Sequence, residues 1–158
     1  MDKYIQKVDD SVGRSAFAFP ECLRCPLTAA TVNAGPRTVC VKHTDSRNLS
    51  FGQCLVMPFG DFDWTKGGHV DLHEVNLRVE VKPGDVLCIP SAVIPHSNSD
   101  IGASETRFSF TLYSSGQHFQ WIENDFTCQK DLTGPKPSPL ALQQRWEEGW
   151  KLYGNALA

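Results

Sequence analysis

Residues 29–113 carry a succession of short apolar or alternating runs cut by turn signals, and this punctuation limits the fold more than any other feature. Residues 29–41 read as strand, interrupted by the turn pair Gly35-Pro36. Residues 51–59 form a second extended run around Cys54-Leu55-Val56-Met57, and residues 60–68 are turn-rich, with Asp61, Asp63, Gly67 and Gly68. Residues 69–75 and 77–81 follow as strands. The second alternates Leu77, Val79 and Val81 with Arg78, Glu80 and Lys82, the period of a half-buried strand. Pro83-Gly84-Asp85 turns the chain into the apolar run 86–90. Val93-Ile94-Pro95-His96 and residues 106–113 read as two further strands. Strands this short, with turns this closely spaced, predict an all-β sandwich or barrel.

The flanks differ. Residues 1–28 carry little pattern and are expected to pack on the core as an N-terminal segment. Gly134-Pro135-Lys136-Pro137-Ser138-Pro139 reads as a stiff linker. After it, Leu142, Trp146, Trp150 and Tyr153 form an apolar stripe at helical spacing, expected to pack on the β-body. The expected division is therefore 1–28, a β domain over 29–127, and a linker with C-terminal helix over 128–158.

No run approaches the ~20 apolar residues of a membrane helix. The start, Met1-Asp2-Lys3-Tyr4, lacks a signal-peptide apolar core, so an intracellular location and no membrane partner are expected. A net charge of −3 excludes a bulk basic surface for non-specific nucleic-acid binding, leaving a local basic groove open. Cys40, Cys54 and Cys88 fall in apolar runs, where free cysteine behaves as a small hydrophobe. Cys22-x-x-Cys25 has no second pair of matching spacing. A structural role is expected for it, over half of a zinc site or a redox pair.

The chemistry-bearing residues begin at His43-x-Asp45. A second pair, His69-x-Asp71, competes with it, and His96 can complete either. Two histidines and a carboxylate with open positions left on the ion is the set used by non-heme Fe(II) oxygenases. In a jelly-roll body the first pair ends an early strand and the distal histidine sits on a late one. About four strands of ~5–6 residues plus turns must fit between them. Asp45 precedes His96 by 51 residues (45 to 96), which fits; Asp71 precedes it by 25 (71 to 96), room for two or three strands. His43, Asp45 and His96 are therefore the expected ligands, with His69 packing on the sheet or lining the pocket. Arg107-x-Ser109 follows. On a strand these two side chains share a face, and a guanidinium fork grips a carboxylate bidentately. That suits the distal carboxylate of 2-oxoglutarate, whose 2-oxo acid end would take the open metal positions.

A longer set of motifs makes a resemblance specific. Asn33-Ala34-Gly35-Pro36-Arg37-Thr38, His43-x-Asp45-x-x-Asn48, Gly60-Asp61-Phe62-Asp63, Gly67-Gly68-His69, Pro83-Gly84-Asp85, Ile89-Pro90-Ser91-Ala92, His96-Ser97-Asn98 and Glu105-Thr106-Arg107-Phe108-Ser109-Phe110-Thr111-x-Tyr113 stand in this order. Together they resemble a group of mushroom-type fungal proteins in the TET/JBP-like branch of the 2-oxoglutarate/Fe(II)-dependent dioxygenases. Enzymes of that branch oxidise a methyl group on a DNA pyrimidine. The resemblance covers roughly residues 30–125. It implies a double-stranded β-helix (a cupin-like jelly roll) with a C-terminal helix and minor helical additions.

It also implies Fe(II) on His43, Asp45 and His96, 2-oxoglutarate on Arg107 and Ser109, and O2 as co-reactant. Asn48 stands where the animal branch contacts the target cytosine, and Tyr113 where an aromatic stacks on the flipped base. Ser115 stands where that branch has a histidine on the base edge. The implied substrate is a methylated pyrimidine such as 5-methylcytosine in DNA, with a nuclear location. The alternatives are the same chemistry on a small molecule or protein side chain, and a non-catalytic cupin-like or transposon-associated binding domain. The cupin alternative rests on Pro83-Gly84-Asp85, Pro90 and His96, and needs neither Arg107 nor Ser109.

Overall fold

The computed structural model describes residues 27–134 and 138–156, together with Gln6, with the side chains of the last helix described through Lys151. Residues 1–5 and 7–26, which hold the expected N-terminal segment and the Cys22/Cys25 pair, and residues 135–137 of the proline-rich stretch lie outside the described residues.

Among the described residues, seven strands build two antiparallel sheets. They are β1 (Ala29–Asn33), β2 (Cys54–Phe59), β3 (Val70–Leu72), β4 (Leu77–Val79), β5 (Leu87–Ile89), β6 (His96–Asn98) and β7 (Phe108–Tyr113). The larger sheet has the order β1-β7-β2-β5 and the smaller one β4-β3-β6. The free edge of β6 is covered by the segment before His43, through an antiparallel bridge between His43 and His96. With that segment counted, successive strands alternate between the sheets except at the β3–β4 hairpin, and the neighbours in the larger sheet are all non-consecutive. That order is a jelly roll, a double-stranded β-helix. Among the described residues no helix is long and apolar enough to cross a membrane.

The two sheets close on a small apolar core. Cys54, Val70, Leu72, Val81 and Ile89 are buried there, with Val56, Val79, Leu87, Ile94 and Tyr113 packed against them. Cys54 is the small hydrophobe expected, but Cys88 points outward on β5 and is exposed. β4 is an edge strand, so the alternation of Leu77, Val79 and Val81 grades from exposed to buried, with Leu77 more than half exposed.

Three expected elements differ. The strand expected at Val93–His96 begins only at His96, because Val93 N and Ile94 N both donate to Pro90 O and wind residues 90–94 into a turn. Residues 38–41 are extended yet form no regular ladder. There the Asn98 side chain replaces backbone partners. Its Oδ1 accepts from Cys40 N at 2.7 Å and its Nδ2 donates to Thr38 O at 3.1 Å.

The third is the C-terminal stripe. Helix α1 (Gly116–Glu123) follows β7, and α2 (Pro139–Ala156) ends the described chain. Leu142 and Trp146 are more than half exposed. Among the described residues of the stripe, only Trp150 packs as expected, half-buried with its indole Nε1 shielded from solvent. Gly149 lies against the Phe51 ring, where a Cβ would collide, and Arg145 pairs with Glu123 of α1 at 2.7 Å. The side chain of Tyr153 lies outside the described residues.

Candidate metal and 2-oxo acid site

β7 has inverted polarity, and this opens the site. Ser109, Thr111 and Tyr113 face a cavity between the sheets, while Phe108 on the other face is 36% exposed. The cavity measures about 410 Å³. Its floor is the apolar core (Cys54, Val56, Val70, Ile89), and its walls are polar: Thr31 and Asn33 from β1, and Arg107, Ser109 and Thr111. Register explains the wall. Asn33 sits opposite Ser109, and Asn33 Nδ2 donates to Ser109 Oγ at 2.9 Å. Thr31 is opposite Thr111, and its hydroxyl shares a 3.3 Å hydrogen bond with Tyr113 OH.

At the other side of the cavity the ligating atoms of His43, Asp45 and His96 lie within 4.8 Å of one another. The His43–His96 bridge sets two imidazoles side by side, ring centroids 4.4 Å apart. Each ring is aimed by a carbonyl two residues back. His43 Nδ1 is 2.7 Å from Val41 O, and His96 Nδ1 is 3.0 Å from Ile94 O. A carbonyl only accepts, so both Nδ1 atoms donate, which leaves the two Nε2 atoms turned towards the site. Histidine ligands are commonly oriented in this way. Asp45 Oδ1 lies 3.5 Å from His43 Nε2, which completes a convergent N, N, O set. This donor set fits a divalent transition metal with positions left open.

Arg107 is 2% exposed. Nη1 reaches Thr38 O at 3.4 Å, and Nε is buried with no hydrogen-bond partner among the described residues. Burial pulls its pKa below the usual guanidinium range, and no carboxylate faces it among the described residues. Phe62 walls it, with the guanidinium carbon 6.0 Å from the ring centroid. Phe62 can lie there because Gly68, at φ +71°, has no Cβ to meet its ring. A buried cation without an anion is costly, and this one borders the same cavity as the histidines.

Asp71 is not brought to the other candidates. Arg78 grips it through Nε and Nη2 at 2.6 and 3.1 Å and holds its carboxyl below the usual range. His69 is buried beside Gly68, its Nε2 without a hydrogen-bond partner among the described residues, and it does not line the cavity. Asn48 and Tyr113 both line it, and Ser115 bridges Asn48 through the backbone. Sequence reasoning gave no role to Asn33, Ser91 or Phe62. The contacts that make them matter cross between strands and carry no local spacing signal.

Among solved structures, the chain is similar to NgTET1 in complex with 5mC DNA, at 26% identity and a TM-score of 0.44, over 48% of this chain and 27% of that one. It is also similar to the viral collagen prolyl hydroxylase vCPH from Paramecium Bursaria Chlorella virus-1 in its 2OG complex, at 12% identity and a TM-score of 0.37, over 70% of each chain. The chain thus spans about a quarter of the first of these. No family model matches, and no curated protein matches.

Proposed function

We propose that the chain is an Fe(II)- and 2-oxoglutarate-dependent oxygenase. The observation that carries this is the unpaired, buried Arg107 on the cavity that His43, Asp45 and His96 also line. A metal triad alone would suit many proteins. A triad facing a dry cation calls for a ligand with a metal-chelating end and an anionic end, and 2-oxoglutarate has both. A metal-binding cupin leaves Arg107 unexplained.

His43 Nε2, His96 Nε2 and Asp45 Oδ1 would hold Fe(II). Arg107 would take the distal carboxylate of 2-oxoglutarate. Ser109 would donate to it, since its oxygen already accepts from Asn33. Phe62 and the loop behind it keep water from that pair, which strengthens it. With O2, the bound iron and 2-oxoglutarate supply oxidative decarboxylation to succinate and CO2, coupled to hydroxylation of a substrate C–H. The catalytic body is assigned to residues 29–127, with residues 128–158 appended to it.

For the substrate we favour the methyl group of 5-methylcytosine in DNA, which places the chain on the TET/JBP-like branch with the fungal proteins it resembles, and in the nucleus. Tyr113 offers a stacking surface for a flipped base. Asn48 Nδ2 is engaged by Asp45 and Ser91, so only its Oδ1 remains for substrate. An acceptor there suits the exocyclic amine of cytosine and not the O4 of thymine. The same chemistry on a small molecule or protein side chain is the second reading, favoured by the net charge of −3 and by Ser115.

Succinate release with Fe(II) and ascorbate, with and without 5-methylcytosine DNA, tests both. Turnover stimulated by that DNA supports the base-oxidising reading. DNA-independent turnover keeps the oxygenase and removes the base, and no turnover counts against the oxygenase.

A further inference from the structure

A carboxylate ligand has two oxygens, and what the second one does decides how many metal positions the first leaves free. Asp45 Oδ1 points to the histidines, 3.5 Å from His43 Nε2. Oδ2 accepts from Asn48 Nδ2 at 3.3 Å, and the same Nδ2 donates to Ser91 Oγ at 3.2 Å. A carboxylate only accepts, so the NH2 end of the Asn48 amide must face it.

Backbone bonds lock the arrangement. Asp45 N donates to Ser91 O at 3.0 Å, and Asn48 N to Asp45 O at 2.8 Å. Ser91 is 1% exposed, so the anchor sits in the fold and not on a mobile rim.

We infer that Asn48, braced by Ser91, is a positioning residue for Asp45, occupying Oδ2 so that Oδ1 alone serves the metal. An untethered carboxylate can swing to bidentate binding and take a position that a chelating 2-oxo acid or O2 needs. The Asn48 bond opposes that swing. This role is separate from a substrate contact, because the two use opposite ends of the amide. It rests on the proposed function only in requiring a divalent metal at the triad.

The test uses Co(II) as the probe, without 2-oxoglutarate or substrate, on the full chain and on Asn48→Ala and Ser91→Ala. The expected result is Co(II) binding weakened about 10- to 100-fold in both variants, with a changed Co(II) absorption spectrum and metal-free proteins that still melt cooperatively within about 10 °C of wild type. Wild-type affinity and spectrum in Asn48→Ala would overturn the inference and leave the oxygenase reading standing. Ser91→Ala keeps the test alive if Asn48→Ala fails to fold, since it leaves the Asn48 side chain in place. A wild-type chain that binds no Co(II) would overturn both.

Discussion

Arg107 sets the energetics of the site at the scale of single residues. Its charge is buried without an anion among the described residues, a cost that a bound carboxylate would relieve. Arg107→Met should therefore melt at the wild-type temperature or about 2–4 °C above it. The same variant should lose the stabilisation that 2-oxoglutarate gives wild type. Melting curves with and without 2-oxoglutarate check both; a large fall in stability with binding intact would make Arg107 structural. His43→Ala and Asp45→Ala should abolish iron-dependent turnover. Asp71→Ala should cost at most about 1 kcal/mol, because its partner Arg78 is a surface cation, and should leave turnover near wild type. The reverse pattern would exchange the two His-x-Asp pairs. That His43, Asp45 and His96 converge was legible because the four strands β2 to β5 lie between Asp45 and His96, and Arg107 stood out by its place two residues before Ser109 on one strand face. Asn33 and Ser91 were not legible, since their bonds to Ser109 and Asn48 join residues 76 and 43 apart in the chain.

Elements show where local pattern and tertiary demand part. β7 alternates as a strand should, so its existence was readable. Which face turned inward was not, because the interior here is a polar chamber and the usual apolar-in rule inverts. The strand expected at Val93–His96 failed for a local reason, the Pro90 turn. The loop over residues 60–68 is held by backbone geometry. Gly60 has φ +120°, and a Cβ there would collide with Thr106 O. Gly60→Ala should cost about 1–3 kcal/mol and weaken 2-oxoglutarate binding by loosening Phe62 over Arg107. A urea midpoint and a binding titration measure the two effects, and wild-type values in both would remove the loop from the site. The C-terminal helix was readable by period, but its docking line was not. That line passes through Gly149, whose absent side chain admits Phe51.

For the whole molecule, the jelly roll joins a small apolar core to a polar cavity of comparable importance, and its stability should fall at both ends of the pH range. Lys66 holds Asp63 at about 2, and Arg78 and Arg37 hold Asp71 and Asp100 below the usual range. Those contributions are present above the unfolded carboxylate value of about 4 and are lost as pH falls through the depressed ones. Cys54 is pushed up to about 11, chiefly by burial. Above about pH 8.5 the unfolded thiol ionises while the folded one stays protonated, so stability declines from there towards pH 11. Urea midpoints should show this alkaline limb in wild type and a flatter one in Cys54→Ala; identical limbs would put its cause elsewhere. An all-β sandwich or barrel was legible from strand length and turn spacing, while the double-stranded β-helix was what the family resemblance implied; strand order depends on pairings far apart in the chain, which local pattern does not encode. The most direct measurement is an anaerobic titration of 2-oxoglutarate into the Fe(II)-loaded chain, followed by visible charge-transfer absorption. Wild type should develop a saturable band, Asp45→Ala none, and Arg107→Met a midpoint at least about 30-fold higher, the equivalent of about 2 kcal/mol. No band in wild type, or an unchanged midpoint in Arg107→Met, would contradict a cavity built to hold a metal and a 2-oxo acid together.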